Sequence, residues 1–211
     1  MSVTESSAQT TGAPLPDRLP LTVILVRHGP VEDGGICYGA RTSPPLSAAA
    51  PSRIRHLQSR LPSMVGRVVA SPATRCQETA RLLGFSDVET DAVWLERDFG
   101  NWEGRPWSDV WAELGHVDDA DTFADFSPEG GEPWTDVRAR AAAALTALAA
   151  SDPPADGAPI VVVTHAGVIR TVLSHVLGIG IGTSLLFDPA PASATWLTSW
   201  GDTWTIARMG A

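Results

Sequence analysis

Two apolar runs in the chain lack the polar alternation of a half-exposed strand. They are residues 21–26 (Leu-Thr-Val-Ile-Leu-Val) and residues 160–164 (Ile-Val-Val-Val-Thr). Such runs suit strands covered on both faces, as in a parallel sheet between helical layers. Arg67 to Ala70 is a third, shorter strand, and Val93 to Leu95 resembles a strand end. Helical spacing appears over 52–61, with Ile54, Leu57 and Leu61 on one face, and over 135–150, with Val137, Ala141, Leu145 and Leu148 inward. Ser71 and Pro72 form an N-cap and N1 pair for a helix that ends before Gly84. A further helix runs from Ala166 to Leu177 and stops at Gly178. Residues 194–199 and 203–208 alternate around Gly201-Asp202, which predicts a hairpin or edge strands. Gly29 to Pro45 and Ser151 to Pro159 are loops, and no internal repeat is present. Strand and helix alternation implies an α/β fold: a three-layer α/β/α sandwich with a mostly parallel central sheet. Residues 96–134 differ in texture. They carry Trp102, Trp107, Trp111 and Trp134 among acids and glycines, and read as a small cap inserted over the strand ends.

The 211 residues suffice for one domain, placed at 21–211. Residues 1–20 are rich in Ser, Thr, Ala and Pro, lack a basic start and apolar stretch, and are expected to be a disordered tail. The net charge of −9 argues against a nucleic-acid surface. All 15 basic residues are arginine, which excludes Schiff-base and P-loop lysines and leaves arginine, histidine and backbone N–H groups to bind an anion. Cys37 and Cys76 form no CxxC pair, so neither a zinc site nor a disulfide framework is indicated. No run is long enough to cross a membrane, and the expected location is the cytoplasm.

Candidate chemistry collects where strands end. Arg27-His28-Gly29 closes the first apolar run, and Thr164-His165-Ala166-Gly167 closes the last. Ligands of open α/β sheets bind beyond the carboxyl ends of the strands, so both imidazoles can face one substrate. A neutral imidazole there can attack an electrophile, and a neighbouring arginine can grip a dianion. Arg75, on the first turn after Ser71-Pro72, can point back to the same edge. Gly167 would let a phosphate approach the backbone closely. Glu96 follows an apolar strand end and is the best placed of three acids to donate a proton; Asp98 and Glu103 read as acids that stabilise the cap. Each element alone also has a plain structural reading: a histidine satisfied by a carbonyl, a solvated helix arginine, aromatic rings that merely pack. Gly178-Ile179-Gly180-Ile181-Gly182 follows a helix and is no dinucleotide fingerprint. No GxSxG elbow is present, and His56, His116 and His175 have no ligand spacing.

Taken together and in this order, the four blocks resemble the histidine phosphatase superfamily, with its phosphoglycerate-mutase-like fold, over about residues 21–208. The resemblance implies that His28 is a phosphorylated nucleophile, that Arg27, Arg75 and a cationic His165 bind the phosphoryl group, and that Glu96 is the proton donor. It implies no cofactor and no metal, and a small phosphorylated metabolite as partner. Cys37-Tyr38-Gly39, Pro44-Pro45-Leu46 and the run Phe99 to Trp107 are similar to the alpha-ribazole phosphatases of cobalamin synthesis, with Tyr38 expected at the substrate. Ser43 departs from an aspartate there, Gly34 from a phosphate-contacting asparagine, and Pro128 to Pro133 only approximates the usual PGGES. A phosphoglycerate mutase-type phosphotransferase, a broad-specificity phosphatase and a non-catalytic phospho-ligand module are the alternative readings. The oligomeric state is left open, a dimer included.

Overall fold

The computed structural model describes residues 20–115, 122–152, 154–201 and 203–210; most of the N-terminal segment, His116 and Asp202 lie outside them. One six-stranded sheet carries the fold. Its strands are β1 (Leu21–Arg27), β2 (Arg67–Ala70), β3 (Glu89–Thr90), β4 (Ile160–Thr164), β5 (Ala194–Trp200) and β6 (Thr203–Arg208), in the order β3-β2-β4-β1-β5-β6. The first four in that order are parallel, and the C-terminal pair is antiparallel. The helices are α1 (Ala50–Gln58), α2 (Thr74–Leu82), α3 (Trp107–Leu114), α4 (Thr122–Asp125), α5 (Trp134–Ala150), α6 (Ala166–Leu177) and α7 (Ile181–Ser184).

The missing alternation in β1 and β4 has a direct cause. Val23, Leu25, Ile160 and Val162 pack with Leu145, Ile169 and Leu173 of α5 and α6. Ile24, Val26, Val161 and Val163 pack on the opposite face with Ile54, Leu57 and Ala80 of α1 and α2. From Val23 to Val26 and from Ile160 to Val163 every position is covered, so none is polar until the strand ends. β1 and β4 pair in register from Val23 with Ile160 to Arg27 with Thr164, and this sets the two following histidines side by side.

Three local expectations are corrected. Helix α2 starts at Thr74 with Ala73 as N-cap, rather than from Ser71 and Pro72. The Ser71 hydroxyl bonds a distant histidine instead, and the Thr74 N–H donates to Ser43 Oγ at 2.8 Å. Ser43 therefore caps the helix from another loop. Val93 to Leu95 is no strand: residues Ala92–Trp94 form a 3₁₀ turn, its Val93 N–H held by Asp91 at 2.9 Å. Helix α1 begins at Ala50, two residues early, with a proline in its first turn. The exposed two-residue β3 had no apolar signal to reveal it. Helix α6 ends as expected, with Gly178 in the left-handed region.

Candidate active site

His28 stands one residue beyond β1. Its N–H donates to Thr164 O at 2.9 Å, and its carbonyl accepts from Ala192 N at 3.1 Å. The ring is fixed as well, because Nδ1–H donates to the Gly29 carbonyl at 2.7 Å. A carbonyl only accepts, so Nδ1 carries the proton and Nε2 is left with a free lone pair. Burial, then the charges of Arg75 and Arg27, push the imidazole down to about 3. The ring is therefore neutral in any ordinary buffer.

His165, on the neighbouring strand end, meets His28 edge to face with centroids 5.2 Å apart. It is fully buried, 2.8 Å from the Ser71 hydroxyl. Burial first, then Arg75 and His28, hold it well below its ordinary value. The expectation of a cationic His165 is thus corrected: three neighbouring cationic arginines and a dry environment leave the ring neutral, able to donate a hydrogen bond but not a charge.

The positive charge comes from Arg27 and Arg75, both lining the cavity. Arg27 Nη1 donates to Pro189 O at 2.6 Å. Arg75 donates to Thr42 O at 2.7 Å and Gly39 O at 3.1 Å. The Nε of each is buried without a hydrogen-bond partner in the protein. An unsatisfied buried donor on a cation is costly, a cost that an acceptor reaching either Nε–H would relieve.

Glu96 is buried beside them. Its carboxylate accepts the N–H of Arg97 at 2.9 Å and of Gly167 at 3.1 Å. Gly167 lines the cavity, and a Cβ there would collide with Glu96 Oε1 and the Trp134 ring, so the bare position also admits the carboxylate.

The cavity holds about 650 Å³. Tyr38, Phe99 and all four tryptophans of the 96–134 segment line it, with Val31, Ile36 and Leu185. Trp107 stacks on half-exposed Trp111 with centroids 5.9 Å apart. Two further arginines line the cavity without a role assigned from sequence: Arg97, whose guanidinium lies 4.7 Å from the Trp134 ring, and Arg170, which donates to Phe187 O at 2.6 Å and Asp188 at 3.2 Å. A usable signal for Arg170 was its place one turn beyond Ala166 on the same helix face. Among the described residues, no group of three metal-ligating side chains occurs, and no helix is long and apolar enough to cross a membrane.

The neutral imidazoles have a consequence for stability. Unfolded, they titrate near 6.5. Below that pH the unfolded chain takes up protons that the folded chain refuses, so stability is complete above about pH 6.5 and falls as pH drops toward 3. His28 alone accounts for a loss on the order of 5 kcal/mol across that window. Urea unfolding at pH 7, 5.5 and 4.5 should show a falling midpoint, and His28→Gln should flatten the slope. A midpoint unchanged down to pH 4.5 would contradict the neutral assignment.

Fold and site together define a three-layer α/β enzyme with two strand-end histidines side by side, of which His28 lines an arginine-lined pocket. The family model described as histidine phosphatase superfamily (branch 1) matches residues 23–211, and the chain belongs to that superfamily. It is a phosphatase. Among solved structures, a protein titled mycobacterial hydrolase 1 is 26% identical with a TM-score of 0.77, covering 92% of this chain and 99% of its own. A mycobacterial glucosyl-3-phosphoglycerate phosphatase is 23% identical with a TM-score of 0.79, covering 92% and 100%. The alpha-ribazole phosphatase of Shigella flexneri is 21% identical with a TM-score of 0.78, covering 90% and 96%. Comparison with curated proteins finds no match.

Proposed function

We propose that this chain is a metal-independent phosphomonoesterase that works through a phosphohistidine at His28, and that its substrate is an alkyl ester whose alcohol carries a flat aromatic base, alpha-ribazole 5'-phosphate foremost. The observation that carries the reaction is the locked, neutral His28 ring beside two arginines with unsatisfied buried Nε–H groups. Phosphoryl transfer needs alignment and charge neutralisation above all. His28 Nε2 attacks phosphorus in line while the bond to the ester oxygen breaks, and protonated Glu96 delivers its proton to that oxygen. Arg27 and Arg75 hold the phosphoryl oxygens, while His165, fully buried and bonded to Ser71, stands beside His28. Water then attacks phosphorus, the P–N bond breaks, and Glu96 takes up the proton. Both arginines disfavour an imidazolium, which keeps His28 ready for the next cycle.

The aromatic cavity wall supports the leaving-group assignment. A flat heteroaromatic base gains from stacking on tryptophan or tyrosine, whereas a small sugar acid gains little. A similar fold in a Shigella protein named as an alpha-ribazole phosphatase agrees with this reading, and the mycobacterial glucosyl-3-phosphoglycerate phosphatase makes that ester the competing candidate. Inorganic phosphate release should be measured on alpha-ribazole phosphate, glucosyl-3-phosphoglycerate and 3-phosphoglycerate with excess chelator present. The highest kcat/KM is expected for alpha-ribazole phosphate, with no interconversion of 3- and 2-phosphoglycerate. Equal efficiency on all three would reject the substrate, and mutase turnover would reject the hydrolase. A loss restored by added metal would reject the arginine clamp.

A further inference from the structure

We propose that Glu103 is a positioning residue for Arg75, acting through the loop of residues 39–42. Its carboxylate gathers the amide edge of that loop. Oε2 accepts the Thr42 N–H at 2.8 Å, the Thr42 hydroxyl at 2.7 Å and the Arg41 N–H at 3.1 Å. Oε1 accepts the Phe99 N–H at 3.3 Å, which ties the loop to the segment that follows Glu96. The carbonyl edge of the same loop holds Arg75, through Thr42 O and Gly39 O. Thr42 thus stands between an anion and a cation, giving two donors to the first and an acceptor to the second. The Thr42 hydroxyl also accepts the Gly39 N–H at 3.0 Å, so both carbonyls that hold Arg75 belong to one hydrogen-bonded turn.

The arrangement solves a conflict in the site. Arg75 is 1% exposed, and burial lowers its pKa while the carboxylates of Glu96 and Glu103 raise it. A carboxylate in direct contact would secure the charge but occupy the fork needed by the substrate. With one residue interposed, Glu103 supports the cation through polarised peptide groups and leaves Nε–H unpartnered. Gly39 fits the same picture, because a Cβ there would collide with Glu103 Oε1 and Arg97 O. Any side chain would push the loop off the carboxylate. Asp98, by contrast, pairs with the exposed side chain of Arg41 and touches no group that holds Arg75.

This inference rests on Arg75 binding the phosphoryl group, and the test separates the two ideas. Steady-state kinetics and vanadate inhibition are measured for Glu103→Gln, Arg75→Ala and the double variant, with thermal melts to establish folding. Glu103→Gln is expected to lower kcat/KM by about 10- to 100-fold and to weaken vanadate in proportion. In the Arg75→Ala background the same change should cost nothing further. Thr42→Val should reproduce the pattern on a smaller scale, which keeps the idea testable if Glu103→Gln folds poorly. Additive losses in the double variant, with Arg75→Ala itself impaired, overturn the positioning role alone. An Arg75→Ala enzyme with full activity overturns the phosphate-site assignment and this inference with it.

Discussion

Alanine at His28 is expected to lower phosphate release by roughly 10⁴-fold or more, since losing a covalent nucleophile leaves only what binding and charge can supply. The residue is singular in this pocket. It is the imidazole at the cavity whose proton is pinned to a backbone carbonyl, 2.7 Å away at Gly29, so its reactive nitrogen needs no base to expose it. Brief mixing of the native enzyme with labelled substrate should leave phosphate on the protein in an acid-labile, base-stable form, and the alanine variant should leave none. His28→Gln, which keeps volume and polarity, separates loss of nucleophile from loss of packing and should be equally inactive. Turnover at near-native rate by either variant would exclude a phosphohistidine. His165 is no substitute nucleophile, because it is 0% exposed and engaged with Ser71.

The second large effect belongs to Glu96, and it depends on the substrate. An alkoxide leaves only with a proton, whereas a nitrophenolate leaves almost without help. Glu96→Gln should slow an alkyl phosphate by roughly 10²- to 10⁴-fold and p-nitrophenyl phosphate by about tenfold or less. Glutamine can still accept one of the two N–H bonds that Arg97 and Gly167 make to the carboxylate, so the pocket should keep its form. Equal losses on both substrates would remove the proton-donor role from Glu96. Neither nearby acid is free to inherit it: Asp98 is paired with Arg41, and Glu103 is filled by the loop at Thr42.

The strand ends were legible because burial on both faces makes a polar residue conspicuous. Arg27-His28 and Thr164-His165 break runs in which every other position must be apolar, and the sheet then brings them together. The helical stripes of α1, α5 and α6 were legible for the related reason that one face must be covered. What local pattern could not reveal were bonds to partners far along the chain. Ser71 has every attribute of an N-cap, but its hydroxyl meets a histidine ninety-four positions away, and Ser43 takes over the helix end. Gly167 also makes room for the Glu96 carboxylate, a contact between residues 71 positions apart. The charge of His165 followed a habit of such sites, while the actual ring is too dry and too close to cations to hold a proton. Arg97 was hidden in an acidic, aromatic stretch whose packing only the folded chain defines.

The doubly covered central strands raise a problem of alignment. With Val, Ile and Leu facing both layers, a one-residue slip between β1 and β4 would exchange one apolar surface for another, and hydrophobic matching would scarcely resist it. Discrimination has to come from the polar ends. The His28 N–H bonds Thr164 O at 2.9 Å, the Thr164 hydroxyl bonds Trp94 O at 2.8 Å, and the Ser71 N–H bonds Val163 O at 2.9 Å. A shift of β4 would strand all three in a water-free region, and a shift of β1 alone would strand the first. The residues around the reaction centre are therefore also the stops against which the strands are aligned, and a sequence that lost them would surrender a unique pairing along with its chemistry.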